Sequence, residues 1–138
     1  MKIDVTNDIA ACRALRRTVF VLEQGVSEAD EIDDLDVVAI HVLARAAHRP
    51  VGTARIVLKN DTAKIGRVCV LKDHRGTGLG IALMQRTLSV AAQQPGIRRA
   101  VLGAQTHALA FYERLGFLAF GEVYEDAGIP HRDMQYVF

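Results

Sequence analysis

The chain carries, at residues 68–80, the run Val68-Cys69-Val70-Leu71-Lys72-Asp73-His74-Arg75-Gly76-Thr77-Gly78-Leu79-Gly80. Its apolar start is typical of a strand, its alternating glycines predict a loop, and the helical spacing that follows predicts a helix from about Leu79 to Gln93. Glycine has no Cβ, so the backbone of such a loop can come close to a bulky anion. The free N–H groups and the positive dipole end of the helix would face that anion. We therefore predict a diphosphate-binding loop with Arg75 as a fixed cation at its mouth.

Other nucleotide-binding loops fit this run less well. A P-loop requires Gly-x-x-x-x-Gly-Lys-Ser/Thr, and no Lys follows these glycines. A dinucleotide-binding loop needs an acidic residue about 20 positions later, but the chain has no Asp or Glu between Asp73 and Glu113. A third pattern, Arg/Gln-x-x-Gly-x-Gly/Ala, is met by Arg75, Gly78 and Gly80. An ordinary glycine-rich turn is the remaining alternative.

Length and composition indicate a globular chain without a strong charge bias. The 138 residues are enough for one domain, residues 1–138, with its own hydrophobic core. No apolar run approaches the roughly 18 residues that span a bilayer, so we expect no membrane partner. With a net charge of +1, we expect no nucleic-acid partner either. Two cysteines and no apolar leader favour a reducing cytoplasm.

Periodicity predicts the order β-α-βββ-α-β-α-β-β. Residues 47–50 and 60–61 suit tight turns, which would make the three central strands antiparallel neighbours. This order predicts an α/β sandwich around one mixed sheet. The predicted strands are residues 2–6, 37–46, 51–59, 62–71, 99–104, 117–124 and a closing strand through Met134, Tyr136 and Phe138; helices are predicted from Ile9 to Leu22, from about 79 to 93, and over 106–115.

Four segments in order resemble the GNAT N-acetyltransferase superfamily. The pattern of Arg75, Gly78 and Gly80 resembles its acyl-coenzyme A loop, and residues 65–70 resemble its central strand. Phe-Tyr-Glu-Arg-Leu-Gly-Phe at residues 111–117 resembles its helix ending in a Leu-Gly-Phe turn. Residues 16–26 resemble the first helix of small bacterial predicted acyltransferases. The resemblance implies a mixed, mostly antiparallel sheet with helices on both faces, splayed open at one point, and acetyl transfer from acetyl-CoA to a primary amine.

The resemblance also implies which residues hold acetyl-CoA as the acyl donor. A backbone N–H of Val68 or Cys69 could stabilise the carbonyl oxygen of the thioester. Many relatives carry Asn where this chain has Gln105, which leaves the hydrogen bond of Gln105 to the coenzyme open. The diphosphate would be gripped by Arg75, Gly76, Thr77, Gly78, Leu79 and Gly80, and the pantetheine arm by Val68, Cys69 and Val70.

Tyr112 is the candidate catalytic acid that the resemblance places near the coenzyme sulfur. A phenol with a pKa of about 10 stays protonated at neutral pH and can donate that proton. The alternative is an aromatic residue that only packs beside Phe111 and Phe117. Cys69 could in principle accept the acyl group, although no adjacent His would activate its thiol. No Cys or His pair has metal-ligand spacing, so we predict no metal.

The general base and the acceptor remain open at this point. Residues 23–36 carry seven Asp or Glu and no Lys or Arg, which suggests a small cationic amine as acceptor. A run of this kind is also typical of a solvated face. The candidate bases or acceptor-binding residues are Glu23, Glu28, Asp33, Asp34, His41 and His131, the last expected on a connection between the final strands.

Three other functions fit the same sequence. The chain could be a non-catalytic coenzyme A-binding regulatory module, or an interaction protein that uses the fold as a scaffold. Arg16-x-x-Val19-Phe20 hints at acyl-homoserine-lactone synthesis, but the Trp characteristic of that family is absent. The sequence leaves the oligomeric state open, with a homodimer as one option.

Overall fold

Seven strands form a single sheet in the computed structural model of the chain, which describes residues 1–138. The strand order is β1-β2-β3-β4-β5-β7-β6, and every neighbouring pair is antiparallel except β4 and β5. In the final hairpin, the second strand, β7, therefore lies between β5 and the first strand, β6, which forms the edge of the sheet. The strands are β1 Lys2–Thr6, β2 Ile40–Ala46, β3 Arg49–Lys59, β4 Thr62–Val70, β5 Arg99–Gln105, β6 Leu118–Asp126 and β7 Ile129–Val137.

The helices are short apart from the one that follows the glycine loop. The Asp8 side chain accepts a hydrogen bond from the Ala11 N–H at 3.1 Å and caps the first helix. That helix continues as a π-helical segment, Arg17–Glu23, to the point where the predicted helix ends. The α-helices are α1 Ile9–Arg16, α2 Glu28–Glu31, α3 Leu79–Ala92 and α4 Leu109–Arg114, with single 3-10 turns at Leu35–Val37, Lys72–His74 and Thr106–Ala108.

Helices cover both faces of the sheet. Along β2, Val42 and Ala44 belong to the core cluster under α3, while Leu43 packs with Cys12 of α1. Successive strand residues point to opposite faces, so α1 and α3 lie on opposite sides. The predicted mixed, mostly antiparallel sheet with helices on both faces is confirmed. None of the helices combines the length and apolar character that a bilayer crossing requires.

The sheet splits between β4 and β5. The two strands pair only where Thr62–Lys64 lies beside Arg99–Val101, and beyond this point they diverge. The register of β4 against β3 also shifts between Thr53 and Arg55. Opposite that shift, Arg67 has a φ of +52°, which is uncommon for a residue with a side chain. The splayed sheet that the resemblance implied is present.

Two predicted boundaries differ from the structure. β2 begins at Ile40 instead of residue 37, because the amides of Val38 and Ala39 donate back to the Leu35 carbonyl. His131 lies within β7 and not on a connection, because Ala127 and Gly128, both with positive φ, close a tight hairpin turn.

Candidate active site

A cavity of about 1150 Å³ runs along the split in the sheet. One wall comes from the end of the π-helical segment and from residues 23–36, which we call the acidic segment. The floor comes from β4 and β5. The β6–β7 hairpin and the start of α4 complete the enclosure. Of the residues predicted for the site, the cavity is lined by Glu23, Asp33, Val68, Cys69, Val70, Arg75, Gln105, Tyr112 and His131.

The glycine loop presents a row of free backbone amides. The N–H groups of residues 76–81 donate to no protein acceptor, and the first intrahelical bond of α3 is that of Ala82 to the Gly78 carbonyl. Gly78 has a φ of +84°, and a Cβ built there meets no atom within 4 Å. The loop therefore has both the donors and the open space that a diphosphate needs.

Arg75 lies across the mouth of the loop in an ion pair with Glu23. Its Nη2 donates to Glu23 Oε1 at 2.7 Å, and its Nε donates to the Val70 carbonyl at 3.0 Å. The hydrogen bond from Arg75 lowers the pKa of the Glu23 carboxyl. Glu23 is therefore held ionised and is a weak base.

Tyr112 lines the cavity with a hydroxyl that makes no hydrogen bond to the protein. Its ring packs edge-on against Phe111 at 5.0 Å and Phe117 at 5.9 Å between centroids. Burial, with a smaller contribution from Cys69, raises the pKa of Tyr112 to about 12. The Tyr112 ring thus packs beside Phe111 and Phe117, as the packing alternative predicted, and its hydroxyl is still free and protonated at the cavity.

On β4, Cys69 and Val70 contribute in different ways to the cavity. The Leu71 N–H donates to the Val51 carbonyl of β3 at 2.9 Å, so the preceding Val70 carbonyl points away from β3, into the split. Cys69 is only 5% exposed, and burial raises the pKa of its thiol to about 12. That thiol is protonated at neutral pH and is not poised as a nucleophile.

His131 presents to the cavity a ring nitrogen that has no protein partner. Its Nδ1 lies 2.7 Å from the Ile129 carbonyl, which can only accept, so Nδ1 carries the proton. Nε2 is then left with its lone pair and has no protein partner. The ring stacks on Tyr124, with centroids 5.9 Å apart and planes at 23°.

Arginines from distant elements neutralise most of the acidic segment. Arg16, only 1% exposed, donates to Glu31 at 2.6 Å and to Asp36 at 2.8 Å. Arg55 binds both carboxylate oxygens of Asp33, at 2.8 and 2.9 Å. These contacts lower the pKa of Asp33, with the hydrogen bond from Arg55 as the main cause. The segment is a structural element held by ion pairs and not a free anionic surface.

Three of the six candidate bases or acceptor-binding residues lie away from the cavity lining, as do the predicted loop residues 76–80. Glu28 pairs with Arg17 on the surface, and Asp34 is exposed. His41 is only 3% exposed and its Nε2 contacts the Asp36 carbonyl at 2.9 Å. Its buried Nδ1 has no partner. The structure therefore brings Glu23, Asp33 and His131 to the cavity and leaves these three outside it.

Gln105 ties two walls of the cavity together. Its Nε2 donates to Gln24 Oε1 at 2.9 Å, and its Oε1 lies 2.7 Å from Nε2 of His107. The end of β5 is thereby linked to the end of the π-helical segment. No group of three or more His, Cys, Asp or Glu side chains is arranged to hold a metal ion.

Sequence reasoning did not single out Tyr124 and Asp133. The Tyr124 hydroxyl donates to Asp133 Oδ1 at 2.7 Å, and both residues line the cavity. Their pairing depends on a register shift between Phe120 and Tyr124, which no local pattern reveals. The available signal was that Asp133 lies two residues after His131 and shares its face of a strand.

Known proteins resemble this chain along most of its length. Residues 23–138 match the GNAT acetyltransferase domain. YjcF, an uncharacterized N-acetyltransferase of Bacillus subtilis (strain 168), is 39% identical over 121 residues, covering 87% of this chain and 86% of YjcF. The crystal structure of an acyl-CoA N-acyltransferase from Pseudomonas aeruginosa has a TM-score of 0.88 at 31% identity, covering 98% of this chain and 99% of that one.

Escherichia coli ElaA gives a TM-score of 0.89 at 33% identity, with 98% of this chain and 99% of the ElaA chain covered. The domain match spans most of the sequence, and the split sheet and glycine loop agree with it. The family that the four sequence segments predicted is confirmed: the chain belongs to the GNAT acetyltransferase family.

Proposed function

We propose that this protein is an acetyl-CoA-dependent N-acetyltransferase that acts on a primary amine of a small, cationic acceptor. The row of free amides at residues 76–81, at the end of a split in the sheet, is the observation that carries the proposal. It offers donors for two linked phosphate groups, and the split offers strand edges for an extended arm. The resemblance to a Pseudomonas aeruginosa acyl-CoA N-acyltransferase supports the same donor.

The donor lies along β4 with its diphosphate on the loop. Gly76, Thr77, Gly78, Leu79 and Gly80 provide backbone N–H groups, and the helix dipole of α3 favours the negative charge. The Val70 carbonyl accepts a hydrogen bond from Arg75 Nε at 3.0 Å, and its second lone pair is available to the pantetheine arm. Arg75 turns from Glu23 toward the phosphates, because a doubly charged diphosphate attracts a guanidinium more strongly than one carboxylate does.

His131 and Tyr112 move the protons of the reaction. Acetyl-CoA supplies the acetyl group as a thioester. The acceptor ammonium first releases a proton to water, and His131 Nε2 then accepts the second proton as the amine nitrogen forms a bond to the carbonyl carbon. The Tyr112 hydroxyl donates its proton to the departing sulfur as the carbon–sulfur bond breaks. Proton exchange with water then returns both side chains to their starting forms.

Direct attack in a ternary complex is favoured over an acyl-enzyme. The high pKa of the Cys69 thiol, about 12, leaves little thiolate to attack a thioester at neutral pH. Cys69 also packs in the core cluster of α1 and is only 5% exposed. Both observations support a reaction in which donor and acceptor are bound together.

Release of free thiol from acetyl-CoA tests the proposal. We expect thiol release with at least one member of a panel of primary amines, and none with a tertiary amine of similar size. Mass spectrometry should find the acetyl group on the amine and none on the protein. Coenzyme A binding without thiol release from any amine would instead favour the non-catalytic regulatory module.

A further inference from the structure

A hydrogen-bonded pair of the β6–β7 hairpin, Tyr124 and Asp133, lines the cavity beside the proposed base, His131. The Tyr124 hydroxyl donates to Asp133 Oδ1 at 2.7 Å directly over Gly103 of β5. A Cβ at Gly103 would come within 2.4 Å of that hydroxyl, so a larger residue there would displace the Tyr124 side chain from this position. One carboxylate oxygen of Asp133 has its partner, and Oδ2 makes no hydrogen bond or ion pair within the protein.

Asp133 differs in this respect from the other cavity carboxylates. Glu23, Glu31 and Asp33 are all paired with arginines. The remaining two, Asp30 and Asp126, are unpaired but exposed. Asp133 is half-buried and has no cationic partner. A charged hydrogen-bond donor stabilises such a carboxylate more than it stabilises an exposed one.

The positions of His131 and Asp133 on β7 determine how far apart two groups of one ligand must be to reach both side chains. In the β5–β7 ladder Gln105 pairs with His131 and Gly103 with Asp133, so the two side chains lie on one face of β7. Two residues of an antiparallel strand span about 7 Å. A ligand whose reacting nitrogen is at His131 would therefore reach Asp133 with a second group about 7 Å away.

The cavity beyond Asp133 carries positive charge. Lys64 and Arg99 line it where β4 and β5 are still paired. Arg99 is held there by hydrogen bonds to Thr62 at 2.9 Å and Gln135 at 3.2 Å, and Asp61 is an exposed ion-pair partner 4.0 Å away. A third ammonium group extending past Asp133 would meet these cations.

We infer that Asp133, oriented by Tyr124, binds a second cationic group of the acceptor, and that the acceptor is a short diamine. The inference rests on the proposed function and identifies its acceptor class. A four- or five-carbon diamine spans the distance between His131 and Asp133. A monoamine leaves Asp133 without a partner, and a long polyamine brings its next ammonium toward Lys64 and Arg99.

Calorimetric titration of the protein saturated with coenzyme A tests the inference without requiring turnover. The probes are 1,4-diaminobutane, butylamine and spermine. We expect 1,4-diaminobutane to bind most tightly. Asp133→Asn should raise its Kd by about 10- to 100-fold, the usual effect of losing a charge-assisted hydrogen bond. Tyr124→Phe should raise it by about 3- to 10-fold.

Glu125→Gln is the matched control, because Glu125 is an exposed carboxylate of the same hairpin that does not line the cavity. It should leave the Kd for 1,4-diaminobutane unchanged, and Asp133→Asn should leave that for butylamine unchanged. Thermal unfolding of each variant checks that the hairpin is intact, and Tyr124→Phe provides a second test if Asp133→Asn does not fold.

The titration and the thiol assay separate the two proposals. Equal Kd values for 1,4-diaminobutane in the wild type and in Asp133→Asn, or no binding by the wild type, would overturn the inference. Thiol release with butylamine would then leave the proposed function standing. Asp133-dependent diamine binding without thiol release from any amine would support the inference and overturn the acetyltransferase.

Discussion

At the scale of single residues, Tyr112 shows how one side chain can be both a packing element and a proton donor. Its ring contacts Phe111 and Phe117 edge-on, which fixes its orientation. Its hydroxyl has no protein acceptor and faces the cavity. Burial raises the pKa of Tyr112 to about 12, so the proton is present over the whole neutral and mildly alkaline range.

Tyr112→Phe should lower kcat by at least about 100-fold, because general-acid catalysis commonly contributes that much. The ring contacts persist in this variant, so its melting temperature should change little. The measurement is thiol release at saturating acetyl-CoA. Tyr136→Phe is the control, since Tyr136 also packs against Phe117 but does not line the cavity. An unchanged kcat in Tyr112→Phe would remove Tyr112 from the mechanism.

Arg75 and Glu23 show how a residue predicted from a motif can have a second partner in the fold. The motif predicts a cation beside the phosphates, and the structure places Arg75 on Glu23 and on the Val70 carbonyl. Both partners line the cavity, so the guanidinium is already at the loop mouth. In the proposed complex Arg75 exchanges Glu23 for the diphosphate.

At the scale of elements, the junction between the glycine loop and α3 is the candidate donor site. The first turn of any helix leaves its N–H groups without intrahelical acceptors. Here the preceding loop adds further free amides from residue 76 onward. Because the side chains of the protein leave open space around Gly78, a substitution there can block access to these amides without disturbing a side-chain contact.

Gly78→Asp should raise the Kd for coenzyme A by about 10- to 100-fold, because it places a carboxylate against the phosphates. The position has open space around it, and Asp tolerates a positive φ better than most residues do. Gly96→Asp is the matched control, with a φ of +76° and equally open surroundings. Calorimetry with coenzyme A measures both. Equal affinity in the two variants would mean that the loop does not bind the diphosphate.

At the scale of the whole molecule, a buried ion-pair network joins α1, the acidic segment and the sheet. Arg16 lies between Glu31 and Asp36, and Arg55 of β3 reaches Asp33 and Asp36. Burial raises the pKa of Asp36, but hydrogen bonds from Arg16, Arg13 and Arg55 outweigh burial and hold it well below its usual range. The network fixes the acidic segment as a wall of the cavity.

This network predicts a loss of stability in acid. A carboxyl whose pKa is lower in the folded than in the unfolded state stabilises the fold above its unfolded pKa, about 4. As the pH falls from about 4 toward the lower folded pKa, these carboxyls are protonated and their contribution to the free energy of unfolding is lost. The melting temperature should therefore vary little between pH 7 and 5 and fall steeply below about 4.

Asp36→Asn should lower the free energy of unfolding at pH 7 by about 3–5 kcal/mol, because it leaves buried guanidinium groups without full compensation. Its melting temperature should also depend less on pH below about 4. Asp34→Asn, in the same segment but exposed and without an arginine partner, should resemble the wild type. If Asp36→Asn melted like Asp34→Asn at both pH 7 and pH 3, the network would not be the source of acid sensitivity.

Local rules explain why so much of the fold was predictable. Alternating and helical spacings gave the order of strands and helices, and glycines at 76, 78 and 80 marked the loop. The errors lie where short apolar runs meet turns. Val37 and Val38 extend the pattern of β2 in the sequence, but hydrogen bonds to Leu35 place them in a turn.

The amino-acid sequence alone identified the glycine loop that we propose as the donor site, since a loop of this kind depends on neighbouring residues and their backbone conformations. The acceptor side was decided by tertiary structure. Arginines at least 19 positions away neutralise Asp33 and Asp36, while insertion of β7 beside β5 sets Asp133 over Gly103. The charge that a carboxylate presents depends on its partners, and those partners are set by contacts and strand pairings between residues far apart in the sequence.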